Sequence, residues 1–296
     1  MKKKVVILGC ENSHAGTFLR FMSETPEQYE DIEVVGVYSE EIAAAEELNK
    51  TYGVPVMKTL DEMVGKVDGV IITARHGKNH YPYAKPYLAS GVPTFIDKPI
   101  TIEEDEAIAF MKEARANGVK ITGGSCCKHD AFVQELKKDH AEDVGGKTVG
   151  GFVRAPLELS AVEYGGYHFY CQHLVEMVLE IYGRYPVAVK AYRSTPKAIT
   201  VVFRYEAFEI IGLFVDEEFY YYLGRSAEKE TKGKNVVLSS RVNPCFRIEF
   251  DEFCDILRGG KQHISYEDFI APVFVQNAIA RSLETGNEEA VPRFSL

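Results

Sequence analysis

The segment Gly9-Cys10-Glu11-Asn12-Ser13-His14 is the first cluster in the chain whose residue types and spacing bear on chemistry. It lies between a short apolar run and an amphipathic stretch. A glycine turn in that setting lets backbone amides and a helix N-terminus approach a pyrophosphate. Against the dinucleotide pattern G-x-G-x-x-G, Gly9 fits, Glu11 replaces the second glycine and His14 the third. Glu11 brings bulk and negative charge toward the phosphates, which weakens the cofactor reading and leaves the fold reading intact. Asn12 or Ser13 supplies a helix cap and a donor to phosphate. The next strand ends Tyr38-Ser39-Glu40, so Ser39 holds the place where an acid usually grips ribose hydroxyls. A serine there leaves room for a 2′-phosphate, yet no arginine follows to bind one. NAD and NADP both stay open.

Further along, Thr73 and Asp97-Lys98-Pro99 each close an apolar run, at the strand ends where open α/β sheets bind ligands. Arg75, His76 and Lys78 gather positive charge after Thr73, suited to an anionic group. His80 reads equally as a helix cap or a site residue. Tyr164 and Tyr167 flank Gly165-Gly166 with hydroxyls suited to a sugar or, as readily, to packing. His168, Cys171 and His173 follow closely, and Cys126, Cys127 and His129 form a second group. H-x-x-C-x-H is not a zinc spacing and nothing requires the two groups to meet, so no metal is expected. No G-x-S-x-G elbow is present, which argues against a hydrolase.

These residues need elements to position them. Strand and helix signals alternate at first, with strands at 4–8, 32–38, 54–56, 68–73, 92–96 and 119–122. Helices fall at 14–24, 40–52, before Gly91, and at 103–117. Such alternation implies a parallel, doubly wound sheet. After a helix near 131–140 the strand signals crowd together, at 148–157, 187–192, 198–205, 208–215, 219–223 and 236–239. Helices interrupt them near 172–182 and 272–284. A mostly antiparallel sheet is expected there. The predicted organisation is a Rossmann dinucleotide-binding domain over 1–122 and an α+β substrate and oligomerisation domain over 123–296.

A chain of 296 residues exceeds what one core usually supports. The balance of 34 basic and 44 acidic residues gives a net charge of −10, which disfavours nucleic acid as a partner. No apolar run reaches spanning length, so no membrane partner is expected. The short basic start at Lys2 to Lys4 precedes too brief an apolar run for a signal core. A cytoplasmic protein with its six cysteines reduced is the expectation.

The chain resembles the Gfo/Idh/MocA family, the oxidoreductases named for glucose–fructose oxidoreductase and inositol dehydrogenase, along nearly its whole length. Four stretches carry the resemblance. DGVIITARHGKNHYPYAKPYLASGVPTFIDKPI (68–100) has Asp97-Lys98-Pro99 in place of E-K-P. GGYHFYCQHLVEMVLEIYG (165–183) is similar to the family's G-G…D-x-x-x-H segment. The opening strand with its ENSHAG turn and the closing SYEDFIAPVFVQNAIARSLETGNEEAV (265–291) complete it.

The resemblance implies a nicotinamide cofactor, NAD or NADP, and a sugar, cyclitol or related polyol as substrate. It implies that Lys98 lies beside the nicotinamide and the substrate hydroxyl, where an ammonium polarises oxygen. It makes His173 the acid/base that exchanges the hydroxyl proton. Gly9, Asn12, Ser13, His14, Ser39, Thr73, His80 and Asp97 would join Lys98 in holding the cofactor, Tyr164, Tyr167 and His168 would face the substrate, and Pro99 would follow a cis bond. One departure is Phe169, where the family has an aspartate one turn before His173. Glu11 and Phe169 together favour the alternative of a non-catalytic sugar- or nucleotide-binding relative. A homodimer or homotetramer is expected through the C-terminal sheet, with residues 219–222 (FYYY), Phe208 and Phe214 on the sticky face.

Overall fold

The sequence of Lys3–Leu8 (β1) is apolar from Val5 onward on both sides, and a strand of that kind belongs inside a sheet covered on both faces. The computed structural model describes residues 1–239 and 243–296. In it, β1 is followed by α1 (Ser13–Glu24), β2 (Ile32–Tyr38), α2 (Ile42–Tyr52), β3 (Gly69–Ile72), α3 (His80–Leu88), β4 (Thr94–Asp97), α4 (Glu104–Ala116) and β5 (Ile121–Gly124). Among the described residues the strands form a five-stranded parallel sheet in the order β2-β1-β3-β4-β5. The order reverses at β1, so the ends of β1, β2 and β3 frame the place where such sheets take ligands. The strand expected at 54–56 is reduced to one parallel bridge, Val37 with Val56.

The second stretch contains α5 (Ala131–Ala141), β6 (Thr148–Leu157), α6 (Tyr167–Tyr182), β7 (Ala188–Thr195), β8 (Ala198–Arg204), β9 (Glu209–Asp216), β10 (Tyr221–Ala227) and β11 (Thr231–Val236). With β12 (Glu289–Ala290) these strands make a sheet in the order β11-β10-β6-β9-β8-β7-β12. Every pairing is antiparallel except β6 with β9. Inner side chains alternate as period 2 requires: Ile199, Val201 and Phe203 on β8, Ile210 and Phe214 on β9. Phe214 and Tyr221 are buried, so neither contributes to the sticky face expected of them.

Two further helices close the chain, α7 (Cys245–Leu257) and α8 (Tyr266–Thr285). The second begins earlier than the residue 272 expected from Pro272, which lies inside it. No helix was expected at α7. The chain divides into two compact units, Met1–Gly124 with Phe246–Phe269 and Leu296, and Ser125–Cys245 with Ile270–Ser295. A single cut at residue 122 does not contain this return. Its reason is packing: Phe250 stacks on Phe18 at 4.8 Å and 13°, Tyr29 lies 5.2 Å from Phe250, and Phe253 meets Phe95 edge-on. Tyr29 donates to Asp251 at 2.7 Å, and Arg258 donates twice to Asp31 at 2.8 and 2.7 Å. Phe250, Phe253, Cys254 and Leu257 thereby join the core of the first unit. Among the described residues no helix is long and apolar enough to cross a membrane.

Candidate active site

The turn after β1 depends on Gly9. Its φ is +77°, and a Cβ there would lie 2.4 Å from the Ala74 backbone. Only glycine meets both demands. The Gly9 and Cys10 amides donate to the Tyr38 carbonyl at 2.8 and 3.1 Å, and Thr73 donates its hydroxyl to the Gly9 carbonyl at 3.0 Å. The turn is thus bound to the ends of β2 and β3. Asn12, extended at φ −82° and ψ 149°, caps α1 by accepting from the His14 amide. Ser13 is exposed and donates to Asn12 at 3.3 Å.

Glu11 does not lie idle at the second glycine position. Ser39 donates its hydroxyl to one Glu11 oxygen at 2.7 Å, and the Arg75 amide donates to the other at 3.0 Å. The carboxylate is therefore held between the segments that follow β2 and β3.

Asp97, at the end of β4, joins much of what the sequence singled out. One oxygen meets His14 Nδ1 at 2.7 Å and accepts from Asn12 Nδ2 at 3.0 Å, while the other accepts from the Lys98 amide at 2.7 Å. Burial opposes its charge, but His14, by charge and hydrogen bond, and then Lys98 outweigh burial and hold the carboxyl below its usual range. Lys98 is buried and precedes a cis bond to Pro99. His80 Nε2 faces the Ala74 carbonyl at 2.8 Å, and burial lowers its pKa and favours the neutral ring. Gly9, Asn12, His14, Ser39, Thr73, His80, Asp97 and Lys98 all lie at the C-terminal ends of the strands of the first unit. In the expected anion-binding loop, His76 accepts from the Lys78 amide at 3.3 Å, Lys78 is exposed, and Arg75 Nη1 lies 4.0 Å from Glu41.

His173 belongs to the second unit. Its Nδ1 lies 2.7 Å from the Ser125 hydroxyl and 3.3 Å from the Cys127 sulfur. Glu176, one turn on, does not hold the ring directly. It accepts from the Ser125 amide at 3.1 Å and from Gln172 at 2.8 Å, with Lys128 Nζ at 3.6 Å. Glu176 thus positions Ser125, which positions His173. Ser125 was missed in the sequence; its signal was a capping residue directly after Gly123-Gly124, and it caps the turn Cys126–His129 by accepting from Cys127 N. The two Cys/His groups, which nothing in their spacing required to join, meet through Cys127 and His173.

Burial opposes charge on Cys127, but hydrogen bonding from Cys126, the charge of and hydrogen bond to His173, and Ser125 hold the thiol well below its usual value. The expected outcome is a thiolate absorbance from Cys127 that persists well below about pH 8.5. It should vanish in Cys127→Ser and retreat toward the ordinary thiol range in His173→Gln. Ultraviolet titration of the folded protein checks this.

Of the substrate-facing candidates, Tyr167 donates to the Gln276 carbonyl at 3.4 Å and His168 Nε2 lies 3.2 Å from Asn277. Tyr164 and Tyr170 each pack a ring against Phe169, at 5.4 and 5.3 Å, so Phe169 sits in an aromatic cluster.

Residues 3–125 match the model of an oxidoreductase family, GFO_IDH_MocA, described as an NAD-binding Rossmann fold. No curated protein matches the sequence. Solved structures match over nearly the whole chain. A myo-inositol dehydrogenase from Corynebacterium glutamicum has a TM-score of 0.83 at 14% identity, over 99% of this chain and 100% of its own. A myo-inositol 2-dehydrogenase from Lactobacillus plantarum has a TM-score of 0.82 at 13% identity, over 99% and 100%. GenD2 of gentamicin A biosynthesis, in complex with NAD, has a TM-score of 0.82 at 14% identity, over 99% and 97%. At these identities the likeness is one of fold.

Proposed function

We propose, from the match of residues 3–125 to the NAD-binding Rossmann model of the Gfo/Idh/MocA oxidoreductases, that the chain moves hydride between a nicotinamide cofactor and a secondary hydroxyl or ketone of a sugar, cyclitol or other polyol. The observation that carries the reading is the Asp97 carboxylate. It ties the cap and first turn of α1, through Asn12 and His14, to the amide of Lys98. The residues meant for cofactor phosphate and the lysine meant for substrate oxygen are thereby parts of one hydrogen-bonded unit. The residues fit the group: a glycine turn and a capped helix N-terminus after β1, and a buried lysine after β4, two strands along the same sheet.

A bound nicotinamide ring would give or accept the hydride. Lys98 stabilises the alkoxide that develops as the hydroxyl is oxidised. His173 takes the hydroxyl proton when its ring is neutral, with the proton it shares with Cys127 resting on sulfur, and with Nδ1 engaged by Ser125 and Cys127, Nε2 is the nitrogen that exchanges it. The names of the inositol dehydrogenases among the structural neighbours support a cyclitol as the first substrate to try.

The reading extends to a homodimer or homotetramer. Tyr192 and Ile211, which point outward from the second sheet, are 50% and 45% exposed, and Phe219 and Tyr220 beside it are 54% and 67%.

Calorimetric titration with NADH and NADPH, followed by turnover assays over a polyol panel beginning with myo-inositol, tests the function. Micromolar binding of either cofactor and oxidation of a polyol are expected. Folded protein that binds neither in either oxidation state overturns the reading. The non-catalytic sugar- or nucleotide-binding alternative then takes its place.

A further inference from the structure

We propose that Glu11 is the carboxylate that receives the adenosine ribose hydroxyls, and that it selects NAD over NADP. The inference rests on the dinucleotide reading above and adds the residue that sets cofactor choice. In sequence, the acid is missing from the end of the second strand, where Ser39 stands. In space, an acid is present there. The Glu11 side chain reaches from the glycine turn, and Ser39 itself donates to it at 2.7 Å. Ser39 is buried and also accepts from the Glu41 amide at 3.0 Å, so its hydrogen is committed to Glu11 and its oxygen to the backbone. Serine is the positioning group and glutamate the ligand.

The acceptor capacity is adequate. An ionised carboxylate offers about four lone-pair sites. Ser39 and the Arg75 amide fill one on each oxygen. The remaining two suit a vicinal diol, whose hydroxyls both donate. A hydroxyl bonded to a charged acceptor contributes roughly 10- to 100-fold in affinity.

The same arrangement opposes a 2′-phosphate. Glu40 and Glu41 follow Ser39, and both are exposed. Burial raises the pKa of the Tyr83 hydroxyl, and the negative charges of Glu40 and Glu11 raise it further, so both carboxylates act on one point. The guanidinium of Arg75, a cation suited to a phosphate, lies 4.0 Å from Glu41. Glu11, Glu40 and Glu41 outnumber that one guanidinium and leave the site negative. Placing a phosphate dianion beside like charge lowers affinity by about 100-fold or more.

Calorimetric titration of the unmodified protein and of Glu11→Gln with NADH and NADPH tests the inference. The unmodified protein is expected to prefer NADH by about 100-fold or more. In Glu11→Gln, which keeps length and shape, NADH affinity should fall about tenfold and NADPH affinity should rise, bringing the two within about tenfold. Titration of the unmodified protein with ADP-ribose and its 2′-phosphate needs no variant and should show the same preference, which places the discrimination at the adenosine ribose. Equal affinities in the unmodified protein, or an unchanged ratio in Glu11→Gln, overturn the inference and leave the dehydrogenase reading standing. Binding of neither dinucleotide overturns both.

Discussion

Lys98→Met is expected to reduce turnover by about 100- to 1,000-fold while NADH affinity stays within about threefold. The size follows from losing one charge-stabilising donor at an oxygen that becomes negative in the transition state. Methionine keeps the length and apolar stem of the buried side chain and removes only the ammonium. The Asp97 carboxylate keeps its bonds to Asn12 and to the backbone amide of residue 98, neither of which needs the lysine side chain. The loss should therefore appear in kcat and kcat/KM together, the pattern of an interaction made only in the transition state. Stopped-flow measurement of NADH formation, paired with calorimetry for binding, checks it. Turnover preserved in the folded variant would remove Lys98 from the chemistry.

Gly9→Ala is expected to lower stability by about 3 kcal/mol or more and to abolish cofactor binding. Two costs combine. A non-glycine residue in the left-handed region costs about 1–3 kcal/mol. The added methyl would also lie 2.4 Å from the Ala74 backbone, which has no flexible side-chain end to move aside. Gly53 provides the control, because its φ of +72° carries the first cost while nothing lies within 4 Å of the place a methyl would take there. Gly53→Ala should cost about 1 kcal/mol. The difference between the two variants measures the close approach alone. For a chain of this size each kcal/mol shifts the midpoint by about 2–4 °C, so thermal melts followed by circular dichroism resolve it. Equal destabilisation of both variants would show that backbone conformation, not contact, fixes the turn.

The first sheet was legible because its strands are continuous apolar runs separated by amphipathic helices, and those two periods are hard to mistake. The second sheet was legible from its crowded strands. What escaped was contact at long separation. Glu11 read as an obstacle because spacing alone places a carboxylate near phosphate. Its partners, Ser39 and Arg75, stand 28 and 64 positions away, and no local pattern names them. His14 read as a failed glycine, yet its ring serves Asp97. Phe169 read as the loss of an anion beside His173. In the structure the ring's Nδ1 is instead held by Ser125 and Cys127, 48 and 46 positions upstream. Helix α7 escaped for a different reason. Its aromatic-rich CFRIEFDEFCDIL follows a run of strands and shares their composition, although Phe246, Phe250, Phe253 and Leu257 keep helical spacing.

That helix makes the first unit discontinuous in the gene. A chain ended after Gly124 would encode all five parallel strands and the whole glycine turn, yet it would lack Phe250, Phe253, Cys254 and Leu257. Phe18, Tyr29 and Phe95 would then face water, and each buried aromatic contributes about 1.5–3 kcal/mol. The unit therefore cannot complete its core on the ribosome until more than a hundred further residues have been made, and it cannot be passed to another protein by copying one contiguous stretch of DNA. Fusion and recombination can exchange this cofactor-binding unit only together with the segment that the second unit interrupts.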